Sequence, residues 1–382
     1  MDASLIERLT AWRRHLHAHP ELSREEVETS AFVRAKLTEL GIGFEAGIGG
    51  HGVVATLRRG SSNRAVGLRA DMDALPIVEA TGVAHASTRP GVMHACGHDG
   101  HTVSLLGAAA LLKDDPSWSG TVHFVFQPAE EGAGGARAMI ADGLFSRFPM
   151  ERIFGYHNWP GLEAGTVAVH SGPVMAAGAR LDVRIEGTSG HAALPHQTRD
   201  PILAAGHLIV GLQSVVARNV DPIESGVISL GRIEGGLASN QIPSEVRLRG
   251  TSRHYTHGTG QIIHDGIRRV AAGVAAMLDV RIDVEIVPGV GPTINHPAEA
   301  ALAVQAAAAA GLAVRRDLPP AMTGEDFGWM LEACPGAYVW IGNGPGGPGA
   351  DLHNDGYDFN DAILPAASGF LAQAAKGALA EG

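Results

Sequence analysis

Apolar positions near the start of the chain recur at helical spacing. Leu5, Leu9, Trp12 and Leu16 share one face. Ser4-x-x-Glu7 and Ser23-x-x-Glu26 read as capping boxes opening two helices, the second stopping at Gly41. The period then shortens. Apolar runs at 52–58 and 65–70 predict strands, and Asp71-Met72-Asp73 follows as a turn carrying two carboxylates. Helical periodicity returns over 102–113, a buried strand is expected at 121–126, a helix at 134–142 and a strand at 152–155. Strands alternate with helices, and polar residues collect where strands end. That pattern predicts an α/β fold, an open sheet with its site along one edge.

From residue 180 the texture changes. Strand, helix, strand, strand, helix, strand are expected at 180–186, 201–219, 226–233, 245–253, 259–278 and 280–287. This β-α-β-β-α-β order is that of a ferredoxin-like α+β unit. It reads as an insertion over 177–291, with Gly- and Pro-containing hinges on either side. The α/β pattern resumes with a helix at 298–310 and a strand at 337–342. The first domain is therefore discontinuous, 1–176 and 292–382.

Composition narrows the class. At 382 residues the chain supports two domains, and 45% hydrophobic with 18% charged residues is ordinary for a globular protein. A net charge of −11 with both signs interspersed argues against nucleic-acid or anionic-membrane partners. The start lacks a basic-then-apolar leader pattern, and two cysteines give no disulfide framework, so a reducing cytoplasm is expected.

The chemistry concentrates in two stretches. His94-Ala95-Cys96-Gly97-His98-Asp99-Gly100-His101 crowds a thiol and three imidazoles into a strand-to-helix turn. Gln127-Pro128-Ala129-Glu130-Glu131 places adjacent carboxylates just past a strand. Thiolate, imidazole and carboxylate together form a transition-metal ligand set, and one further carboxylate can serve as a base. Taken singly, Cys96 is as well explained as a small buried hydrophobe, and Glu130-Glu131 as solvated acids on a loop. Asp71 and Asp73 fit either turn residues or outer partners that fix ligand histidines. His157 and His353 are weak alone but fall on the expected site edge. His191, in the inserted unit, is a loop histidine or a donor to a substrate carbonyl. A cysteine nucleophile at Cys96 is a rival reading, weakened because no orienting partner is apparent.

HACGHDGH, FQPAEEG, GYHNWPG, GHAALPH, Gly235–Asn240 and the LHN…YDFND ending occur in an order and spacing that resembles the N-acyl-amino-acid amidohydrolases. That family holds hippurate hydrolase, aminoacylases and auxin-conjugate hydrolases, within the dinuclear metallopeptidases that include glutamate carboxypeptidases. The resemblance spans essentially the whole chain. It implies a zinc-peptidase-like catalytic domain with a mixed central sheet flanked by helices, plus a lid and dimerisation domain. It implies two divalent metals (manganese, zinc, nickel or cobalt) held by Cys96, His98, Glu131, His157 and His353, with Cys96 bridging. It further implies Glu130 as general base toward a metal-activated water, His191 reaching the carbonyl oxygen, often across a dimer, and Asn240 and Arg253 contacting the substrate carboxylate. The expected reaction is hydrolysis of an N-acyl-amino acid to a carboxylic acid and a free amino acid, in a homodimer or tetramer. A dipeptidase or carboxypeptidase is the alternative, followed by a cysteine hydrolase and a non-catalytic conjugate-binding protein. One departure stands out: Asp355-Gly356 follows Leu352-His353-Asn354 where relatives often carry proline.

Overall fold

The computed structural model describes residues 1–380, in two compact units. Of the described residues, the first comprises Met1–Val174, Ile294–Pro319 and 326–380. Its eight-stranded mixed sheet runs in the order Gly43–Ile48, Gly52–Arg59, Gly120–Gln127, Ala65–Asp71, Arg152–Pro160, Gly336–Gly344, Thr166–Ala168 and Ala313–Arg315. The four strands Gly120–Gln127, Ala65–Asp71, Arg152–Pro160 and Gly336–Gly344 are mutually parallel. Their C-terminal ends therefore lie along one edge, where open α/β sheets bind ligands. In register, Asp71 pairs with Gln127 and His157 with Trp340.

Helices Ala3–Ala18, His98–Asp114 and Leu364–Ala380 bury Leu9, Leu16, Leu105, Leu106, Phe370 and Leu371 against this sheet in one core. His98–Asp114 is buried nearly all round, which explains why its apolar residues do not form a single stripe in the sequence.

The capping-box expectations fail at both helices. Asp2 caps the first, its side chain accepting from Leu5 N at 2.8 Å. The second begins at Val27 without a side-chain cap. Ser23 instead donates to Asp73 at 2.6 Å, and Glu26 accepts from Ala129 N at 2.7 Å. Both residues are drawn into long-range contacts that a local motif cannot foresee.

The second unit comprises Met175–Thr293 and Pro320–Glu325. Hence it takes in a short segment, Pro320–Glu325, that the sequence pattern does not set apart. Its antiparallel sheet has the order Gly226–Gly235, Glu245–His254, Ala177–Glu186, Arg281–Pro288. Helices Pro201–Asn219 and Thr256-capped His257–Leu278 connect these strands in β-α-β-β-α-β order. Leu181, Val183, Ile185, Leu208, Leu212, Val246, Leu248, Ile263 and Ile267 form its core. Pro201–Asn219 is, by length and composition alone, apolar enough to cross a membrane, but Ala204, Ala205, Leu208, Leu212 and Val215 are buried on its core face.

Candidate metal centre

Gly97 makes the turn between Cys96 and His98. Its φ of 89° is left-handed, and a Cβ there would strike the Asn158 side chain and stand 2.7 Å from Tyr357 Oη. The tight turn lets His98 open a helix while Cys96 stays on the preceding loop. Two non-glycine residues are also left-handed at this edge, Ala129 at φ 57° and His353 at 61°. Such backbone persists only where surroundings over-determine it. Glu26 holds the Ala129 amide, and His353 N donates to Ala95 O at 2.8 Å.

The structure brings together all five proposed ligands. Ligand atoms of Cys96, His98 and His157 lie within 4.8 Å of one another, as do those of Cys96, Glu131 and His353 and those of His98, Glu130 and Glu131. Cys96 Sγ is 3.3 Å from His157 Nε2, and His353 Nε2 is 3.2 Å from Glu131 Oε1. His157 Nδ1 donates to Asn158 O at 2.7 Å, which leaves Nε2 as a lone-pair donor facing the thiol. His98 and Asp73 face each other, Nδ1 to Oδ1, at 3.3 Å, and His98 Nε2 is 3.9 Å from Glu131 Oε1.

Whether these residues suit a metal is tested by the atoms nothing satisfies. His98 Nε2 and Glu131 Oε1 are buried and have no hydrogen-bond partner among the described residues. His353 Nε2 stands 3.2 Å from that carboxylate oxygen, and a cation shared among these atoms would satisfy them together. The donor set of one sulfur, three imidazoles and one carboxylate fits a borderline transition ion better than calcium or magnesium.

The electrostatics agree. Burial opposes ionisation of the Cys96 thiol, and Glu131, Glu130 and Asp71 push its pKa further up. Burial opposes charge on His98 too, but Asp71, Asp73 and Glu131 outweigh it and raise its pKa to about 10. The pocket thus carries an excess of negative groups and draws positive charge. His157 goes the other way, pushed well down by burial and by His101. A Cys96 thiolate paired with a protonated His157 is consequently disfavoured from both sides. That weakens the cysteine-nucleophile reading even though the sulfur and ring do meet.

Around the ligands stands a buried polar frame. Asp73 accepts from Glu130 N at 3.1 Å and Glu131 N at 2.9 Å, fixing both acids through their backbone. Asp71 accepts from His101 Nδ1 at 2.6 Å and from Arg69 Nη1 at 2.7 Å. Burial works against its charge, yet His98, His101 and Arg69 hold its pKa well below the usual carboxylate range. Glu130 Oε1 accepts from Asp326 N at 3.3 Å.

The sequence model of peptidase family M20/M25/M40 matches residues 67–377. The chain belongs to this family. It is 40% identical over 375 residues to the N-acetyl-L-cysteine deacetylase of Bacillus subtilis (strain 168), covering 98% of this chain and 89% of that one. It is 38% identical over 367 residues to the hippurate hydrolase of Campylobacter jejuni, covering 95% and 94%. Among solved structures, the Bacillus subtilis YXEP protein, described as a dinuclear metal binding peptidase from the M20 family, superposes with a TM-score of 0.88 at 36% identity over 99% of both chains. The family, the mixed α/β architecture and hydrolytic chemistry on amide bonds expected from the motifs thus stand.

Sequence reasoning missed several residues of this M20 site. His101, Asn158, Tyr357, Arg69, Gln127 and Asp326 all join the frame. His98 and His101 are three apart on a helix, so they share a face, and that spacing was a usable signal. No local pattern marks Arg69 or Asp326, which are 257 positions apart.

In the second unit His191 lies on Gly190–His191, paired with Gln241–Ile242, and is exposed. Asn240 is its neighbour, its carbonyl accepting from Ala192 N at 3.0 Å. Arg253 is elsewhere. It pairs with Gly178, whose missing Cβ makes room for the guanidinium. From Glu245 to Arg253 is eight residues of strand, about 26 Å. Asn240 lies before the start of that strand and Arg253 near its end.

Proposed function

We propose that the chain hydrolyses the amide bond of N-acyl-amino acids, with Cys96, His98, Glu131, His157 and His353 holding two divalent cations and Glu130 acting as general base and acid. The observation that carries the reading is the convergence of these five side chains at one sheet edge, with the Glu130 carboxylate beside two of them. The names of the relatives support the substrate class: hippurate hydrolase, N-acetyl-L-cysteine deacetylase and, at 38% identity over 92% of this chain, the IAA-amino acid hydrolase ILR1-like 4 of Arabidopsis thaliana.

When bound, divalent cations would polarise the scissile carbonyl and lower the pKa of a water. Glu130 takes the proton of the attacking water and delivers it to the departing nitrogen. Its carboxylate is kept in place by Asp326 N, and its backbone by Asp73. Asp73 and Asn158 O orient the rings of His98 and His157. His191 donates to the carbonyl oxygen, and Asn240 and Arg253 bind the substrate carboxylate. Asn240 precedes the strand Glu245–His254 and Arg253 stands near its far end, so contributions from two copies, as in a homodimer, would bring both to one carboxylate. The metals are manganese, zinc, nickel or cobalt, and the enzyme works in the cytoplasm.

The test is a turnover screen of benzoyl-, acetyl- and indoleacetyl-amino acids, before chelation, after it, and after return of manganese or zinc. Activity should vanish on chelation and return with metal. In Glu130→Gln, metal content should persist while kcat drops about 10²–10⁴-fold. Near-normal turnover in that variant rejects the assignment of Glu130, and full activity in demonstrably metal-free protein rejects the metal chemistry.

A further inference from the structure

The strand Arg152–Pro160 is buried from Ile153 to Asn158 and becomes half-exposed at Trp159. Alternate residues of a strand share a face, so Trp159 stands on the same side as His157. Their ring centroids are 6.2 Å apart at 81°. His157 Nε2 also lies 3.3 Å from Cys96 Sγ, so the indole adjoins a side chain of the proposed reaction centre.

Trp159 is also held unusually firmly. Its ring stacks on Trp340 with centroids 3.8 Å apart and planes 6° from parallel. Trp340 is 2% exposed and is itself braced by His170, edge to face at 4.5 Å. One face of the Trp159 indole is thus fixed on a buried ring, while the residue remains half-exposed at the C-terminal end of a strand of the sheet edge that carries the M20 site. A fixed, half-open aromatic plane beside a hydrolytic centre is a stacking surface.

We infer that Trp159 is a specificity-determining residue: it stacks on a flat apolar ring carried by the substrate next to the scissile amide. The inference rests on the amide-hydrolase reading. The ring can come from the acyl group or from the amino-acid side chain, and three substrates separate these: N-benzoylglycine, N-acetylphenylalanine and N-acetylglycine.

The metal-loaded enzyme should prefer one ring-bearing substrate over N-acetylglycine. Trp159→Ala should lower that preference, as a ratio of kcat/KM values, roughly tenfold, the size of a lost ring-on-ring stack with its buried area. Trp159→Phe should restore most of it, because a smaller ring still stacks. The substrate whose ratio falls identifies the source of the ring. Equal losses on all three substrates in both variants would overturn the inference and leave Trp159 a packing residue. If the wild-type enzyme turns over none of the three, the amide-hydrolase reading fails. Calorimetry with benzoate and acetate then still decides the stacking. Benzoate should bind more tightly than acetate and lose about tenfold in Trp159→Ala, and equal binding to wild type and variant overturns it.

Discussion

Replacing Asp73 by asparagine is the sharpest test of how the centre is held. Each oxygen of Asp73 serves two partners. Oδ1 takes Glu130 N at 3.1 Å and faces His98 Nδ1 at 3.3 Å, while Oδ2 takes Glu131 N at 2.9 Å and Ser23 Oγ at 2.6 Å. The residue is 1% exposed, so water cannot substitute. Burial penalises its charge, and His98, Ser23 and the Glu131 amide more than compensate, holding its pKa below the usual carboxylate range. An asparagine has one oxygen. If its NH₂ takes the Oδ2 position, Ser23 can turn to accept, but the Glu131 N–H is left facing a donor. If it takes the Oδ1 position, the Glu130 N–H is stranded, and His98 Nδ1 must accept, which moves the ring proton to Nε2, the atom proposed to bind metal. Either way at least one buried N–H loses its partner, about 1–3 kcal/mol. For a unit of this size that is about 2–10 °C in Tm of the metal-free protein. Metal affinity should fall a further 10–100-fold, the usual effect of losing an outer partner. Melting in excess chelator reads the first quantity, and competition with a chromogenic chelator reads the second. An Asp73→Asn protein that melts with wild type and binds metal within twofold of it would refute the role given to Asp73.

Two further substitutions probe the frame away from the ligands. Arg69→Met removes the cation between Asp71 and Asp326, which sit 2.7 and 3.3 Å from its guanidinium, all three fully buried. Stranding those carboxylates should destabilise metal-free protein by about 3–5 kcal/mol in urea unfolding, and a loss under 1 kcal/mol would mean other groups neutralise them. His123, 5% exposed with Nδ1 2.9 Å from Thr56 Oγ1, has its pKa lowered by burial from 6.5 to about 4. A histidine whose folded pKa lies below its unfolded one stabilises fully above pH 6.5, and the stability drains as pH falls toward 4. His123 should thus account for about 2 kcal/mol of the stability lost between pH 7 and pH 5. His123→Gln should lose correspondingly less over that range in urea titrations at the two pH values, and an unchanged slope would show that the ring is not held neutral.

The parts of this architecture that were legible in the sequence are those fixed by local physics. Helix and strand periods located the alternation that builds the parallel strands, and the βαββαβ order of the second unit follows from six segments each recognisable alone. The strand that carries His157 was read as ending at Gly155, yet it runs to Pro160. Tyr156, His157 and Asn158 are all buried, and Trp159 is half-buried, so no apolar-polar alternation marks the continuation of the strand. The capping boxes misled for a related reason. Ser23 and Glu26 had partners about 50 and 100 residues away, and a motif four residues long cannot register that competition.

The same contrast explains why ligands were easier to find than their supports. A metal ligand must be one of a few residue types, so Cys96, His98 and Glu131, each weak alone, stand out once the motifs that hold them are read together. Its support needs only to supply one hydrogen bond from the right direction, which Asn158 O does from the backbone for His157 and Ala95 O does for the His353 turn. Backbone partners leave no mark on residue identity. What they do leave is strain: of the four non-glycine residues with positive φ among the described residues, one is His353 and another, Ala129, directly precedes Glu130. Left-handed backbone at Ala129 and His353, which costs of order 1–3 kcal/mol, is thus spent at this centre on aiming the Glu130 and His353 side chains, whereas at Asp279 it only ends a helix.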